Sequence, residues 1–282
     1  MSDRPAFTSE VLTIERRNAV ATLWLDRPEA RNAMGPAFWT DLPRAMVELA
    51  GDPSVRAVVV GATGPHFSVG LDLKAMAGVL TGPAGGGTGP SSAAARAAGA
   101  RREVTRLQAA VTSVADCPKP VIAAVHGYCI GGGVDLISAC DIRLASADAV
   151  FSVREAKVAI VADLGSLQRL PRIIGFGHVS ELAYTGKDVT AARAAQIGLV
   201  NEVFPDADAL RVGARALADE IAANSPLAVG GTKAVLAAGD GATVAEGLDY
   251  VATWNAAMLG SNDLVEAMTA FAEKRPPTFT GT

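Results

Sequence analysis

The sequence predicts an α/β fold whose last quarter is entirely helical. Up to about residue 205, short β-branched runs interleave with stretches of helical apolar spacing. From Asp206 onward every apolar pattern repeats at helical spacing. Two of the extended stretches also run straight into glycine-rich segments of the kind that open a helix. The expected division is a core over residues 1–205 and a helical, oligomer-forming region over residues 206–282. A chain of 282 residues, half of them apolar, is long enough to bury a large core of this kind.

Residues 11–14 and 20–25 are apolar or alternating around Arg17 and Asn18, which reads as a β-hairpin. Residues 36–50 place Phe38, Leu42, Ala45, Met46 and Leu49 on one helical face, with Pro36 suited to the first turn. Residues 57–60 are a β-branched run typical of a buried strand. Residues 78–100 hold mostly Gly, Ala, Ser, Thr and Pro, with little to bury, and read as a mobile loop or lid. Helical spacing returns over residues 101–115. Strands are expected at residues 121–125, 141–145, 150–153 and 199–204, with a short helix ending at Ala139. The C-terminal helices are expected at residues 207–223, 226–238, 244–259 and 264–273. Leu248, Val251, Trp254 and Met258 make that region too apolar to stand alone, so it should pack on the core or on a neighbouring subunit.

The charges sum to −4, from 25 Lys and Arg against 29 Asp and Glu, which gives no reason to expect a nucleic-acid partner. No apolar run reaches the roughly 18 residues of a membrane span. Residues 1–10 lack the pattern of a secretory signal. Cys117, Cys129 and Cys140 are odd in number, form no CxxC pair and read as buried thiols of a reducing compartment. A cytoplasmic protein is expected.

Two segments share one form, residues 67–73 (Phe-Ser-Val-Gly-Leu-Asp-Leu) and residues 126–135, which contain Gly127, Gly131, Gly132 and Gly133. A helix start offers unpaired N–H groups, and glycine lets a substrate oxygen approach them. Two such donors aimed at one point form an oxyanion hole. Close helix–strand packing also explains glycine runs, and both readings stay open at this level. Neither segment fits GxGxxG or a P-loop.

Three carboxylates lie in apolar company: Asp135 within Gly-Val-Asp-Leu-Ile, Glu155 after Phe-Ser-Val-Arg, and Asp163 within Ile-Val-Ala-Asp-Leu-Gly. Burial would raise their pKa values toward the range useful for proton transfer. Each alone also reads as a helix cap or an ion pair, with Arg143, Arg154 and Arg169 available as partners. The only histidines are His66, His126 and His178, no serine occupies a G-x-S-x-G elbow, and no spacing supports a metal site.

The residues that carry a family resemblance are Leu25-Asp26-Arg27-Pro28-Glu29-Ala30-Arg31-Asn32-Ala33-Met34, residues 67–73, and Pro120 through Gly133. Residues 169–175, 198–200 and 271–275 add to it. This pattern resembles the crotonase, or enoyl-CoA hydratase/isomerase, family and covers nearly the whole chain. The resemblance implies a crotonase-like ββα superhelix core, assembly into homo-trimers or hexamers, and an acyl-CoA substrate whose coenzyme A is the only cofactor-like group. It places the thioester oxygen against the N–H groups of Leu71 and Gly132, with Gly70, Asp72, Leu73 and Gly131 beside them. Ala30, Arg31 and Ala33 match positions that hold the CoA nucleotide. Lys274 or Arg275 would reach a CoA phosphate, on a neighbouring subunit if not on this one.

The acids narrow the resemblance. Enoyl-CoA hydratases carry glutamate at both positions matching Asp135 and Glu155. Dienoyl-CoA isomerases resemble this chain more closely, with aspartate, glutamate and a further aspartate in an Ala-Asp-x-Gly-x-Leu-Gln-Arg-Leu-Pro context, matched here by residues 162–171. The reaction implied is conversion of a 3,5-dienoyl-CoA to the 2,4-isomer, with Glu155 near C2, Asp163 near C6 and Asp135 supporting the dienolate. The alternatives are a 2-enoyl-CoA hydratase using Asp135 and Glu155, and a non-catalytic member that binds a partner.

Overall fold

Asn18, in the left-handed region at φ 53°, turns the chain between β1 (Leu12–Arg17) and β2 (Val20–Leu25), which pair antiparallel. A computed structural model describes residues 7–80 and 92–282. After the hairpin come α1 (Pro36–Gly51), β3 (Ala57–Ala62), α2 (Ala77–Leu80), α3 (Ala93–Ala115), β4 (Val121–Val125), β5 (Tyr128–Ile130) and α4 (Gly132–Ser138). The chain continues through β6 (Ile142–Ser146), β7 (Val150–Ser152), a 3-10 turn at Glu155–Val158, α5 (Ser166–Ile174), α6 (Phe176–Thr185), β8 (Val189–Thr190), α7 (Ala191–Gln196) and β9 (Glu202–Phe204). Four helices end it: α8 (Ala207–Ala222), α9 (Pro226–Ala238), α10 (Val244–Met258) and α11 (Asn262–Glu273).

The main sheet has the order β1-β2-β3-β4-β6-β9, parallel beyond the hairpin, and β5-β7-β8 form a smaller second sheet. Every residue of β3 and β4 is buried, as their unbroken apolar sequences require of a strand covered on both faces. Leu210, Ala214, Ala218 and Ala222 of α8, four residues apart, lie against Val59, Ile122 and Leu144 on one face. On the other, Phe38, Trp39, Leu42 and Met46 of α1 and Leu107, Val111 and Val114 of α3 join the larger core. The first helix of the 206–282 region is therefore a layer of the core. By contrast α10 buries none of its residues, and Val244, Leu248, Met268 and Phe271 are exposed across α10 and α11. No helix among the described residues is long and apolar enough to cross a membrane.

The expected loop over residues 78–100 is corrected in part. Residues 78–80 belong to α2, 81–91 lie outside the described residues, and 93–100 are the first two turns of α3, capped by Ser92, whose Oγ accepts the Ala95 N–H. Alanine-rich sequence has little to bury yet strongly favours helix, so a lack of large apolar residues does not imply a loop. The strand expected at 199–204 shortens to β9, because Leu199 N–H and Val200 N–H are taken by the Ala194 carbonyl.

Parallel pairing of neighbours β3 and β4 sends the chain out of both strands at the same edge of the sheet. The two exits zip together, with Phe67 N–H donating to His126 O at 2.8 Å, Ser68 N–H to Tyr128 O at 2.9 Å and Ile130 N–H to Ser68 O at 3.0 Å. The two glycine-bearing segments are thereby brought side by side.

Candidate active site

Asn32 anchors the first segment. It is buried, left-handed at φ 53°, and its Nδ2 donates to Thr63 O and His66 O, both at 2.9 Å, while its Oδ1 accepts the Arg27 N–H. Ser68 then donates through Oγ to Asn32 O and accepts the Gly70 N–H. Met34 N–H donates to Gly70 O and Asp72 N–H to Met34 O, a parallel bridge between Met34 and Leu71. Strand alternation then turns the Leu71 N–H away from Met34. The Gly132 N–H, at the first position of α4, has no acceptor within the helix.

The two donors are neighbours. A Cβ built on Gly132 would lie 3.8 Å from the Leu71 nitrogen, and one on Gly70 would lie 3.1 Å from the Gly132 nitrogen and 2.6 Å from Ile130 O. Gly70 also has φ +83°, so only glycine fits there without strain. One expectation needs correcting: no helix opens at Leu71. One donor comes from a helix start and the other from an extended segment, because residues 70–72 pair with Met34.

Both segments line a cavity of about 320 Å³ that also exposes Asp135, Glu155 and Asp163, walled by Leu73, Val104, Leu107, Val158, Ile160 and Leu164. Asp135 comes from α4, Glu155 opens the 3-10 turn, and Asp163 lies on the irregular stretch before α5. Burial pushes the Asp135 carboxyl up to about 6, opposed by hydrogen bonding from Ser166, whose backbone N–H lies 2.7 Å from Asp135 Oδ1. Burial pushes Glu155 up to about 7, with the negative charges of Asp135 and Asp163 adding to the shift. Glu155 Oε2 is buried without a hydrogen-bond partner, and a Cβ on Gly131 would come within 3.2 Å of Oε1. Asp163 is the most exposed of the three, and partial burial still raises its pKa.

None of the arginines offered by the sequence pairs with these acids. Arg143 donates to Leu199 O and Cys140 O, Arg154 pairs with Asp188, and Arg169 donates to Leu164 O and Thr112 Oγ1. Arg169 reaches Asp135 only through its field, which draws the Asp135 pKa down slightly. Among the described residues no ion pair involves Asp135, Glu155 or Asp163. Three carboxyls without an ion pair on one cavity cost stability, the pattern expected of a functional site.

The remaining predicted residues divide. Gly70, Leu71, Leu73, Gly131 and Gly132 line the cavity. Ala30 ends a 3-10 turn and accepts the Ala33 N–H, and Arg31, left-handed and exposed, forms no ion pair among the described residues. Asp72 is engaged elsewhere, pairing with Arg27 at 3.0 Å and capping the Ala75 N–H. Lys274 is the exposed left-handed cap of α11, away from the cavity lining, and Arg275 is paired with Glu266 and Glu273. Asn32, Ser68, Gln108 and Ser166 shape the site without having been singled out in the sequence. Their work is done through backbone groups distant in the chain, which no local pattern records.

Residues 15–282 match the family described as Enoyl-CoA hydratase/isomerase. The chain is 45% identical over 273 residues to the peroxisomal Delta(3,5)-Delta(2,4)-dienoyl-CoA isomerase of Arabidopsis thaliana, covering 96% of each. It is 46% identical over 253 residues to the mitochondrial Delta(3,5)-Delta(2,4)-dienoyl-CoA isomerase of Rattus norvegicus, covering 89% of this chain and 76% of that protein. Its fold matches the crystal structure of an enoyl-CoA hydratase from Bacillus anthracis with a TM-score of 0.87 at 30% identity, covering 97% of this chain and all of that one. With the crotonase-like core and the facing glycine segments in place, the match over almost its full length makes this chain a member of the enoyl-CoA hydratase/isomerase family.

Proposed function

We propose that this protein is a dienoyl-CoA isomerase, converting 3,5-dienoyl-CoA to 2,4-dienoyl-CoA. The observation that carries the reading is the set of three unpaired carboxyls, Asp135, Glu155 and Asp163, around one cavity beside two facing backbone N–H groups. A hydratase has use for two acids, whereas a proton moved from C2 to C6 crosses more distance than one short carboxylate spans. The printed names of the relatives support the same reaction.

Glu155 removes the C2 proton, and its pKa of about 7 suits a base that works near neutrality. The electron pair released spreads through both double bonds to C6 and onto the thioester oxygen, where the Leu71 and Gly132 N–H groups stabilise it. Asp163, on the same cavity, gives a proton to C6. The double bonds then lie at C2 and C4, and return of a proton from Glu155 to Asp163 through solvent resets the enzyme. Asp135, beside the glycine loop, serves the orientation of the dienolate, and its charge helps hold the Glu155 pKa up. No cofactor or metal enters this scheme; coenzyme A arrives with the substrate.

Arg31 and Lys274 are the proposed CoA contacts, Lys274 from a neighbouring subunit. The exposed apolar residues of α10 and α11 support a homo-trimer or hexamer. Three buried free thiols are consistent with a reducing compartment, and we retain the cytoplasm as the proposed location, although the two relatives above are peroxisomal and mitochondrial.

The test is an ultraviolet assay with a 3,5-dienoyl-CoA and, in parallel, a 2-enoyl-CoA. The isomerase produces the longer-wavelength 2,4-dienoyl absorbance, and Asp163→Asn abolishes it while still exchanging the C2 hydrogen with solvent deuterium faster than Glu155→Gln does. Loss of 2-enoyl absorbance without a diene shift, unchanged in Asp163→Asn, would make the protein a hydratase using Asp135 and Glu155.

A further inference from the structure

Asp163 sits on a stretch with almost no backbone support. Residues 161–164 belong to no helix or strand, and among the described residues no backbone–backbone hydrogen bond involves Val161, Ala162, Asp163 or Leu164. Two side chains hold the stretch instead. Gln108 donates through Nε2 to the Asp163 carbonyl at 2.7 Å. Arg169 donates through Nη1 to the Leu164 carbonyl at 3.3 Å and through Nη2 to Thr112 Oγ1 at 3.1 Å. Gly165, at φ +120°, lets the guanidinium lie across the chain, since a Cβ there would fall on Arg169 Nη1.

Both ties lead to α3. Gln108 and Thr112 are four residues apart and so share one face of that helix. Val104, one turn earlier on the same face, and Leu107 beside Gln108 are part of the cavity wall. The helix that walls the cavity is thus also the helix tied to the Asp163 backbone.

We infer that Gln108 is a positioning residue for the distal proton transfer: its amide, gripping the Asp163 carbonyl, fixes where the Asp163 carboxyl meets the substrate. This rests on the isomerase reading above, and it separates the two ends of the reaction. Glu155 and the glycine segments make no hydrogen bond to Gln108, so abstraction at C2 does not depend on it. Delivery at C6 does, because general acid catalysis needs the acid within hydrogen-bond reach of the carbon it protonates, and a displacement near 1 Å is enough to cost about a hundredfold.

The experiment compares wild type, Gln108→Glu, Gln108→Ala and Gln108→Lys with a 3,5-dienoyl-CoA in deuterium oxide, following C2 deuterium incorporation by mass and 2,4-diene formation by absorbance. Gln108→Glu has the same shape without a donor and Gln108→Lys keeps a donor, while thermal melting reports whether each variant folds. The expected result is diene formation roughly tenfold or more below wild type in Gln108→Glu and Gln108→Ala, C2 exchange within about twofold of wild type, and recovery of the ratio in Gln108→Lys. Equal losses of exchange and diene formation, or no loss of either in a folded variant, overturn the inference. A wild-type enzyme that neither exchanges nor isomerises overturns the isomerase reading itself, an outcome the variants cannot mimic.

Discussion

The Ser166 backbone N–H donates to the Asp135 carboxylate at 2.7 Å, tying the first turn of α5 to the buried acid of α4. Among the described residues that bond is the one hydrogen bond that Asp135 Oδ1 receives from the backbone, and no cation pairs with the carboxylate. Asp135 has no ion-pair partner, and its charge contributes to the high pKa of Glu155. The proposed base, Glu155, must be ionised to act, so C2 exchange should rise with pH through about 7 and level off above it. Asp135→Asn removes a neighbouring negative charge, and the midpoint should move to lower pH. The pH profile of deuterium exchange at C2 checks this, and an unmoved midpoint would disconnect the two acids.

Stability should carry the same signature. Folded Glu155 keeps its proton up to about pH 7, whereas the unfolded chain releases it near the ordinary 4.5. Between those values the folded state binds more protons, so this group lowers stability as pH rises through the window, and its effect is level above. Glu155→Gln removes that cost. The variant should be more stable than wild type by about 2 kcal/mol at pH 8, after discounting for partial exposure, and nearly equal at pH 4. Its isomerase rate should drop by roughly 10² or more. Denaturant melts at the two pH values read the first effect, and equal differences at both would contradict it.

The two glycines of the candidate oxyanion hole should fail in different ways. At Gly70 the backbone is left-handed and a Cβ meets Ile130 O at 2.6 Å, so Gly70→Ala should destabilise the fold by about 2 kcal/mol and abolish activity. At Gly132 the nearest obstacle is the Met34 Sδ at 3.1 Å, the movable part of a flexible side chain. Gly132→Ala should therefore fold with a Tm within a few degrees of wild type, yet lose roughly 10- to 100-fold in rate as the methyl group crowds the gap beside the Leu71 nitrogen. Melting curves beside turnover rates separate the two cases.

What could be read from the sequence was local. The hairpin, α1, β4 and α9 follow from apolar period, β-branched runs and Asn or Pro at the ends, all signals carried within a few residues. The three acids were legible because a carboxylate among apolar neighbours is conspicuous wherever it falls. The supports were not. Gln108 lies 55 residues from the carbonyl it holds, and Asn32 bonds to carbonyls 31 and 34 residues away. The Leu71 donor was expected at a helix start but comes from pairing with Met34, a relation between two loops that only the adjacency of β3 and β4 creates. In α5, Pro171 and the following Gly175 interrupt the helical signal within nine residues.

Arg31 supplies the last prediction. Its left-handed backbone is set by the 3-10 turn at Pro28–Ala30, whose Pro28 carbonyl accepts the Arg31 N–H, and no acid pairs with its side chain among the described residues. Exposed and without an ion pair among the described residues, it is a cation available to a phosphate, and guanidinium suits that partner. If it grips the CoA nucleotide, its contact is the same in ground and transition states, and losing it should weaken binding without slowing chemistry. Arg31→Ala should raise KM for a dienoyl-CoA about 5- to 20-fold at low salt with kcat within about twofold, and added salt should shrink the difference. The same acyl chain on a short thiol without the nucleotide should be turned over equally by wild type and variant. A loss with the truncated thioester as large as with the CoA ester would instead assign Arg31 to the glycine loop, through the Arg31 carbonyl that accepts the Val69 N–H.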